Sequence, residues 1–162
     1  MKTRKTIRSI TFNAIVCALY VILVFVLGFM SFNSIQVRLA EILILLVLFN
    51  KKYTIGITLG CFIANLLGPF GLLDAFIGGL ATLLSCLFLC IAKKPLLSII
   101  IVPVCNILVG FELAYIYSFN FEAFLINTLW VMIGEAIAMT VGYIIYKIII
   151  KNEDLVKTIG DI

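Results

Sequence analysis

Long apolar segments fill most of the chain and are separated by short polar or glycine- and proline-containing turns. Their lengths predict helices over residues 11–30, 34–50, 53–67, 72–92, 95–117 and 121–150. A bilayer core about 30 Å thick is crossed by roughly 20 helical residues, so six crossings consume nearly the whole sequence. We therefore expect an all-α membrane protein: one transmembrane bundle of six helices over residues 1–150 and a short cytoplasmic tail over 151–162.

The second segment is shorter than the others, and Arg38 and Glu41 interrupt it. A charged side chain facing lipid is costly, so this segment is expected to pack against protein. The first segment follows four basic residues, as a secretory signal peptide does. Its apolar run is too long for a signal peptide and no small-residue cleavage site follows it, which favours a retained helix.

Lysine and arginine cluster at alternate turns of this arrangement. With the N-terminus in the cytoplasm, eleven of the twelve basic residues fall on the cytoplasmic side, as the positive-inside rule requires. Both chain ends are then cytoplasmic. Arg38 alone lies on the outer side, so it needs a separate explanation.

The composition supports a membrane environment and argues against common catalytic sites. The chain is 64% hydrophobic and 12% charged, far from the roughly quarter-charged make-up of soluble domains. It contains no histidine, which removes imidazole bases and histidine metal sites. The five cysteines lie inside apolar runs without CxxC spacing, so they are predicted to be buried packing residues.

The ionisable and amide residues of the apolar segments share one depth when counted from the nearest turn. They fall between the midplane and the outer side, which predicts a polar cavity that opens outward. The candidate binding residues are Arg38, Glu41, Asn65, Asp74, Asn106, Glu112 and Glu135, with Asn127 at a shallower depth.

Two interpretations of these residues stay open. Arg38 and Glu41 are three residues apart, so they can pair on one helix face without any ligand. Glu135, Asp74 and Glu112 have no second intramembrane cation, so a ligand donor, a shifted protonation equilibrium or water must satisfy them. Asn106 and Glu112 lie about 120° apart around an ideal helix, so one of them can face a helix contact instead.

Small residues recur at four-residue spacing, a pattern that lets helices approach closely. The sets are Ala14 and Ala18; Gly56, Gly60 and Ala64; Ala75 and Gly79; and Gly134, Ala138 and Gly142. Internal packing explains most of them. Ala14 and Ala18 lie near the cytoplasmic end of the first helix, where a partner helix can dock.

The sequence has no GxxxxGK[ST], HExxH or GxSxG motif and no soluble region large enough for an ATPase. An enzyme is therefore not expected, although carboxylate chemistry is not excluded. A six-helix chain of this kind is a facilitator, an ion-coupled carrier, or a subunit that depends on a separate ATPase.

Four segments resemble the QueT family, the queuosine-precursor substrate-binding subunits (S-components) of energy-coupling factor (ECF) importers. They are QVRLAEIL at 36–43, IGITLGCFIANLLGPFGLLDAFIGGLATLLS at 55–85, Pro103 with Asn106 and VGFELA up to Ala114, and IGEAIAMTVG at 133–142. The resemblance implies a bacterial, multi-pass plasma-membrane protein that captures a deazaguanine base outside the cell. It also implies a transmembrane coupling protein, docked at Ala14 and Ala18, and two cytoplasmic ATPases.

For such a ligand the resemblance implies specific roles. Glu135 accepts the adjacent N–H and amino donors of the base in a bidentate fork. Asp74, Glu112 or Glu41 balances an aminomethyl cation, Asn65 and Asn106 bind ring groups, and Trp130, Tyr115 or Phe70 can stack on the ring. No cofactor, metal or nucleic-acid partner is expected. The alternatives are an S-component for another vitamin, an ion-coupled or passive carrier, and an intramembrane enzyme.

Overall fold

The structure, a computed structural model, describes residues 2–28, 37–116 and 120–161. All the regular elements in these ranges are helices. In chain order they are α1 (Lys2–Val26), the 3₁₀-helix η1 (Leu39–Leu48), α2 (Tyr53–Leu66), α3 (Leu72–Ala92), the 3₁₀ turn η2 (Pro95–Leu97), α4 (Ser98–Cys105), α5 (Ile107–Ile116), α6 (Phe121–Ile149) and α7 (Glu153–Gly160). The predicted ends at residues 30 and 117, and the predicted start at residue 34, lie outside the described ranges.

Within the described residues, four helical stretches are long and apolar enough to cross a membrane: Thr6–Val26, Leu72–Ala92, Pro95–Ile116 and Phe121–Ile149. The other two apolar helices, η1 and α2, have 10 and 14 residues. At about 2.0 Å per residue for a 3₁₀-helix and 1.5 Å for an α-helix, each is roughly 20 Å long. Both are therefore shorter than the hydrocarbon core and pack among the longer helices.

The second predicted helix differs in type from a standard α-helix. It is a 3₁₀-helix that begins after Arg38, with Glu41 N–H bonded to the Arg38 carbonyl at 3.0 Å. Three residues per turn place Arg38, Glu41, Ile44 and Val47 on one face, and all four are buried. An α-helix would rotate these positions apart, so the burial of this face explains the tighter winding.

The fifth predicted helix is divided at Asn106 into α4 and α5. Pro103 lies in the last turn of α4 and has no N–H to donate, which weakens the regular hydrogen-bond ladder. The Asn106 carbonyl accepts the N–H groups of Val109 and Gly110, so α5 starts again directly. The apolar stretch Pro95–Ile116 is thus interrupted in its backbone at Asn106, between α4 and α5.

Close helix packing uses the small residues predicted for this purpose. A Cβ on Gly56 would lie 2.5 Å from the Asn13 carbonyl oxygen of α1, and one on Gly60 would lie 2.7 Å from the Tyr20 Cβ. A Cβ on Gly142 would lie 3.0 Å from Leu45 of η1. The predicted internal role of these glycines is confirmed.

The cysteines also pack inside the bundle. Cys61, Cys86 and Cys105 are buried, whereas Cys17 and Cys90 are half-buried, and all five are free thiols. Burial is confirmed for the first three and is only partial for the other two.

The end of the chain folds back as α7 rather than trailing as a charged tail. The Arg8 guanidinium pairs with Asp161 at 3.0 Å, Tyr53 O–H donates to the Ile159 carbonyl at 3.0 Å, and Asn50 donates to the Gly160 carbonyl at 2.9 Å. The start of α1 and the end of the chain therefore lie at the same end of the bundle.

Candidate ligand-binding site

Arg38 and Asp74 form the ion pair at the centre of a buried polar cluster. Arg38 Nη2 lies 3.6 Å from Asp74 Oδ1, and the two side chains are 3% and 1% exposed. Gly71, with φ +64°, ends the α2–α3 turn, and Asp74 follows in the first turn of α3. The ion pair therefore joins η1 to α3, not Arg38 to Glu41 within η1 as one sequence interpretation allowed.

Glu41 is held by hydroxyl groups from two other helices. Its Oε1 accepts a 2.6 Å hydrogen bond from Tyr20 of α1 and lies 3.2 Å from the Thr82 hydroxyl of α3. Thr82 Oγ1 is also 3.1 Å from Cys61 Sγ of α2. Groups from η1, α1 and α3 thus meet at one carboxylate oxygen, and α2 is joined to them through Thr82.

Tyr20 and Thr82 were not among the residues predicted from the sequence. Thr82 follows Asp74 by two four-residue steps, so the two residues lie near the same face of α3. This spacing could have identified Thr82 as a member of the cluster. Tyr20 is a phenol in the middle of an apolar run. Its position within the apolar run was weaker evidence for a polar role, because tyrosine side chains also pack in apolar cores.

Glu112 and Glu135 complete the cluster from α5 and α6. Each side chain is 1% exposed. Glu135 interacts electrostatically with Glu41 and Arg38, and Glu112 interacts with Asp74 and Arg38. Among the described residues, the buried charged groups are thus one guanidinium, Arg38, and four carboxylates from η1, α3, α5 and α6, of which Asp74 pairs with Arg38 directly.

Several polar atoms of the cluster are buried without a hydrogen-bond partner among the described residues. They are Arg38 Nε and Nη2, Glu41 Oε2, Asp74 Oδ2, both carboxylate oxygens of Glu112, and Glu135 Oε2. A buried polar atom without a partner costs about 1–3 kcal/mol. Apart from Arg38 Nη2, which faces Asp74 in the ion pair, these donors and acceptors are not used by contacts among the described residues.

The two predicted asparagines are placed differently. Asn65 Nδ2 donates to the Asp74 main-chain carbonyl at 3.1 Å and packs so closely on Gly78 that a Cβ there would clash with it. This amide supports the α2–α3 connection. Asn106 is buried, and its Nδ2 has no hydrogen-bond partner among the described residues.

The cluster occupies the half of the bundle away from the lysine-bearing turns. Asp74 is in the first turn of the 21-residue helix α3, whereas Lys93 directly follows its last turn. Thr82 is about midway along the same helix. The polar groups thus extend from mid-bundle toward the end opposite Lys93.

The candidate stacking residues do not line the cluster equally. Tyr115 and Trp130 are 66% and 41% exposed, which favours their alternative role as lipid-facing residues. Phe70 is half-buried against a small core that contains Ala81 and Val131. Asn127 is also only half-buried.

Ala14 and Ala18 are exposed on α1. Ala14 borders a surface groove of about 390 Å³ between α1 and α2, with Asn13, Gly56 and Leu59 among its walls. The first helix therefore presents small side chains to the outside of the bundle, next to a depression at the end that bears Arg8.

Comparison with known proteins decides the family. The model of the QueT transporter family matches residues 10–151. The chain belongs to the QueT transporter family. This confirms the resemblance drawn from the four sequence segments.

One curated QueT relative is the protein named queuosine precursor transporter QueT of Lactococcus lactis subsp. cremoris (strain MG1363). It is 47% identical over 85 residues, which cover 51% of this chain and 49% of the relative. The match thus spans about half the length of that relative. No solved structure matches the chain.

In this QueT-family chain the cluster has a defined chemical capacity. Free carboxylate oxygens of Glu112 and Glu135 can accept hydrogen bonds and balance a cation, while Arg38 can donate from Nε and Nη2. Charge-assisted hydrogen bonds of this kind are about twice as strong as neutral ones.

Proposed function

We propose that this protein is the substrate-binding S-component of an ECF-type importer and that it captures a queuosine precursor, a deazaguanine base. The observation that carries the proposal is the set of buried, unpartnered carboxylate and guanidinium atoms that four helices gather around Arg38. Membership of the QueT family and the name of its curated relative support the choice of substrate.

Glu135 is the proposed anchor for the base. Its Oε2 is buried without a partner among the described residues, which leaves this oxygen available to a donor, and in the proposed complex the carboxylate accepts the ring N–H and the neighbouring amino group. Arg38 donates to the ring carbonyl, and Asn106 offers a further donor. Glu112, with both oxygens unpartnered in the described part of the chain, balances an aminomethyl cation.

The remaining members support these groups. Glu41 holds Tyr20 in place and Asp74 holds Arg38. Each carboxylate also keeps one oxygen without a hydrogen-bond partner among the described residues. Asn65 positions the main chain at Asp74. We therefore assign Asp74, Glu41 and Asn65 to the substrate site mainly as positioning residues. Direct contact of the ligand with these three residues is a secondary part of the proposal.

The proposed topology has six spans in the plasma membrane of a bacterium. Residues 1–150 form the membrane domain, in which η1 and α2 cross together with the four longer stretches. The lysine-bearing end faces the cytoplasm, so the cluster opens outward, and both chain ends, which lie together through Arg8 and Asp161, are cytoplasmic.

The proposed partners are a transmembrane coupling protein and two cytoplasmic ATPases, which supply the energy that this chain does not convert itself. The exposed Ala14 and Ala18 support docking of the coupling protein on α1. Replacing either alanine by leucine should prevent assembly but leave ligand binding intact. Thr140→Leu, at an exposed position on α6, is the matched control, and loss of binding together with assembly would argue against a docking role.

The proposal is tested by identifying the small molecule that accompanies the purified protein. Mass spectrometry of the compound released on denaturation should detect a deazaguanine base at close to one equivalent. Detection of a different nucleobase-like vitamin would support the capture role but show that the substrate is not a deazaguanine base. Chemically altered ligand produced on incubation would instead indicate an intramembrane enzyme.

An ion-coupled carrier is the second candidate, and the four-to-one excess of buried carboxylates over guanidinium favours it. Acidic groups in membrane interiors often hold coupling ions or relay protons. Protein reconstituted alone into liposomes discriminates the two functions. Uptake driven by an ion gradient supports the carrier, whereas uptake that requires the coupling protein and ATP supports the S-component.

A further inference from the structure

A second cavity lies at the lysine-bearing end of the bundle, away from the candidate substrate site. It has a volume of about 390 Å³ and is bordered by the η1–α2 turn, the end of α3 and the last turns of α6. Asn50, Lys51 and Lys93 form its polar walls, and Phe49 and Tyr146 form an aromatic wall.

Two lysines from separate turns converge on this cavity. Lys51 follows η1, whereas Lys93 caps α3 by donating its main-chain N–H to the Leu89 carbonyl at 2.9 Å. Lys93 adopts φ +53°, a conformation that favours glycine. A cationic side chain thus stands at a position where the backbone alone prefers no side chain.

The walls of this cavity carry positive charge, and none of the described residues that line it is acidic. On the neighbouring tail helix α7, Asp161 pairs with Arg8 and Glu153 pairs with Lys157. Lys51 and Lys93 therefore present positive charge to whatever enters the cavity.

An apolar groove lies next to the cavity. It runs between η1 and α6, with Leu45 and Ile145 among its walls, and it shares Phe49 and Tyr146 with the cavity. The two shared rings lie 5.1 Å apart between centroids. A cationic cavity and a hydrocarbon-lined groove thus lie against the same pair of aromatic rings.

We propose that this combined surface is a binding site for an anionic phospholipid. The phosphate of the headgroup lies between Lys51 and Lys93, and an acyl chain lies in the groove between η1 and α6. Basic pockets between transmembrane helices bind anionic headgroups in this way. A choline headgroup is disfavoured because it would add a third positive charge beside the two lysines. A free phosphate shares the charge but has no part that fills the groove.

The test is lipid binding to delipidated protein in uncharged detergent, measured by native mass spectrometry. We expect phosphatidylglycerol to bind and phosphatidylcholine to bind at least about tenfold more weakly. The double variant Lys51→Ala/Lys93→Ala should weaken phosphatidylglycerol binding about 30-fold, from roughly one near-surface charge interaction for each lysine. Ile145→Trp, which fills the groove, should also reduce lipid binding.

Lys157→Ala is the matched control, because it removes one lysine from the same end of the bundle outside the cavity. It should leave lipid binding unchanged. Equal binding of the two lipids, or no effect of the double variant while its helical circular dichroism is intact, would overturn the proposal. If inorganic phosphate displaced phosphatidylglycerol at similar concentrations and Ile145→Trp had no effect, the site would bind a free anion and not a phospholipid.

Discussion

The polar groups at the two ends of the bundle differ in whether they have hydrogen-bond partners. At the end that carries the chain termini, Tyr53, Asn50 and Ser98 donate to main-chain carbonyl groups at 3.0, 2.9 and 2.6 Å. At the cluster, Glu112 and Glu135 are each only 1% exposed, yet they keep oxygens without partners among the described residues.

This difference separates a structural role from a functional one. Hydrogen bonds that close within the protein, as around α7, are explained by folding. Unpartnered buried groups oppose folding, so their concentration in one place requires a benefit elsewhere. The ligand capture proposed above would supply that benefit, and variants at the two ends provide a direct way to test the contrast.

The largest difference is expected between the two arginine ion pairs. Arg38→Gln removes the only cation described in the cluster and should lower the free energy of unfolding by about 3–5 kcal/mol. Arg8→Gln breaks an ion pair whose side chains are 40% and 68% exposed, so the loss should be about 1 kcal/mol or less. Unfolding in detergent micelles measures both. Equal losses would mean that the cluster is solvated like the surface.

Glu135→Gln should weaken binding of the deazaguanine base by about 1.5–3 kcal/mol, because one charged acceptor of a bidentate contact is lost. Isothermal titration with purified protein measures the change. Glu122→Gln is the matched control, since Glu122 is exposed in the first turn of the same helix α6. Unchanged affinity in the Glu135 variant would remove this residue from the site.

Neighbouring glycines on α3 offer a sharper test of the site's framework. A Cβ on Gly78 would clash with Asn65, whereas one on Gly79 would lie 3.6 Å from Phe62, an ordinary contact. Gly78→Ala should cost about 1–3 kcal/mol of stability by overpacking and should also weaken ligand binding through Asp74. Gly79→Ala should do neither. Similar thermal shifts in both variants would contradict the assigned packing.

The smallest effect is expected for a pair of buried tyrosines. Tyr53→Phe removes the hydrogen bond to α7 and should cost about 0.5–1.5 kcal/mol of stability without changing ligand affinity. Tyr20→Phe removes a donor to Glu41, so it should alter affinity as well. The comparison fails if both variants bind the base like the wild type.

Much of the fold was predictable because hydrophobic run length determines where long helices begin and end. The fourth predicted segment agrees with α3, and the last agrees with α6 to within one residue. The 3₁₀ winding of η1 was not predictable, because it depends on which face the surrounding helices bury. The fold-back of α7 depends likewise on distant partners such as Tyr53.

The sequence also identified much of the polar cluster, because charged groups in apolar segments are rare and costly. It did not assign the partners. Arg38 pairs with Asp74, which is 36 positions away in the sequence, rather than with its near neighbour Glu41. Tyr20 and Thr82 are ordinary residues by composition, and only their placement beside Glu41 gives them a role.

The central claim is that the unpartnered groups around Arg38 are the contacts of a captured base. A crystal structure of the protein with the bound deazaguanine base tests it most directly. The account predicts two donors of the base about 2.7–2.9 Å from the Glu135 carboxylate, with Arg38 and Glu112 also in contact. A base bound outside the cluster, or a cluster whose groups pair with one another in the loaded protein, would contradict it.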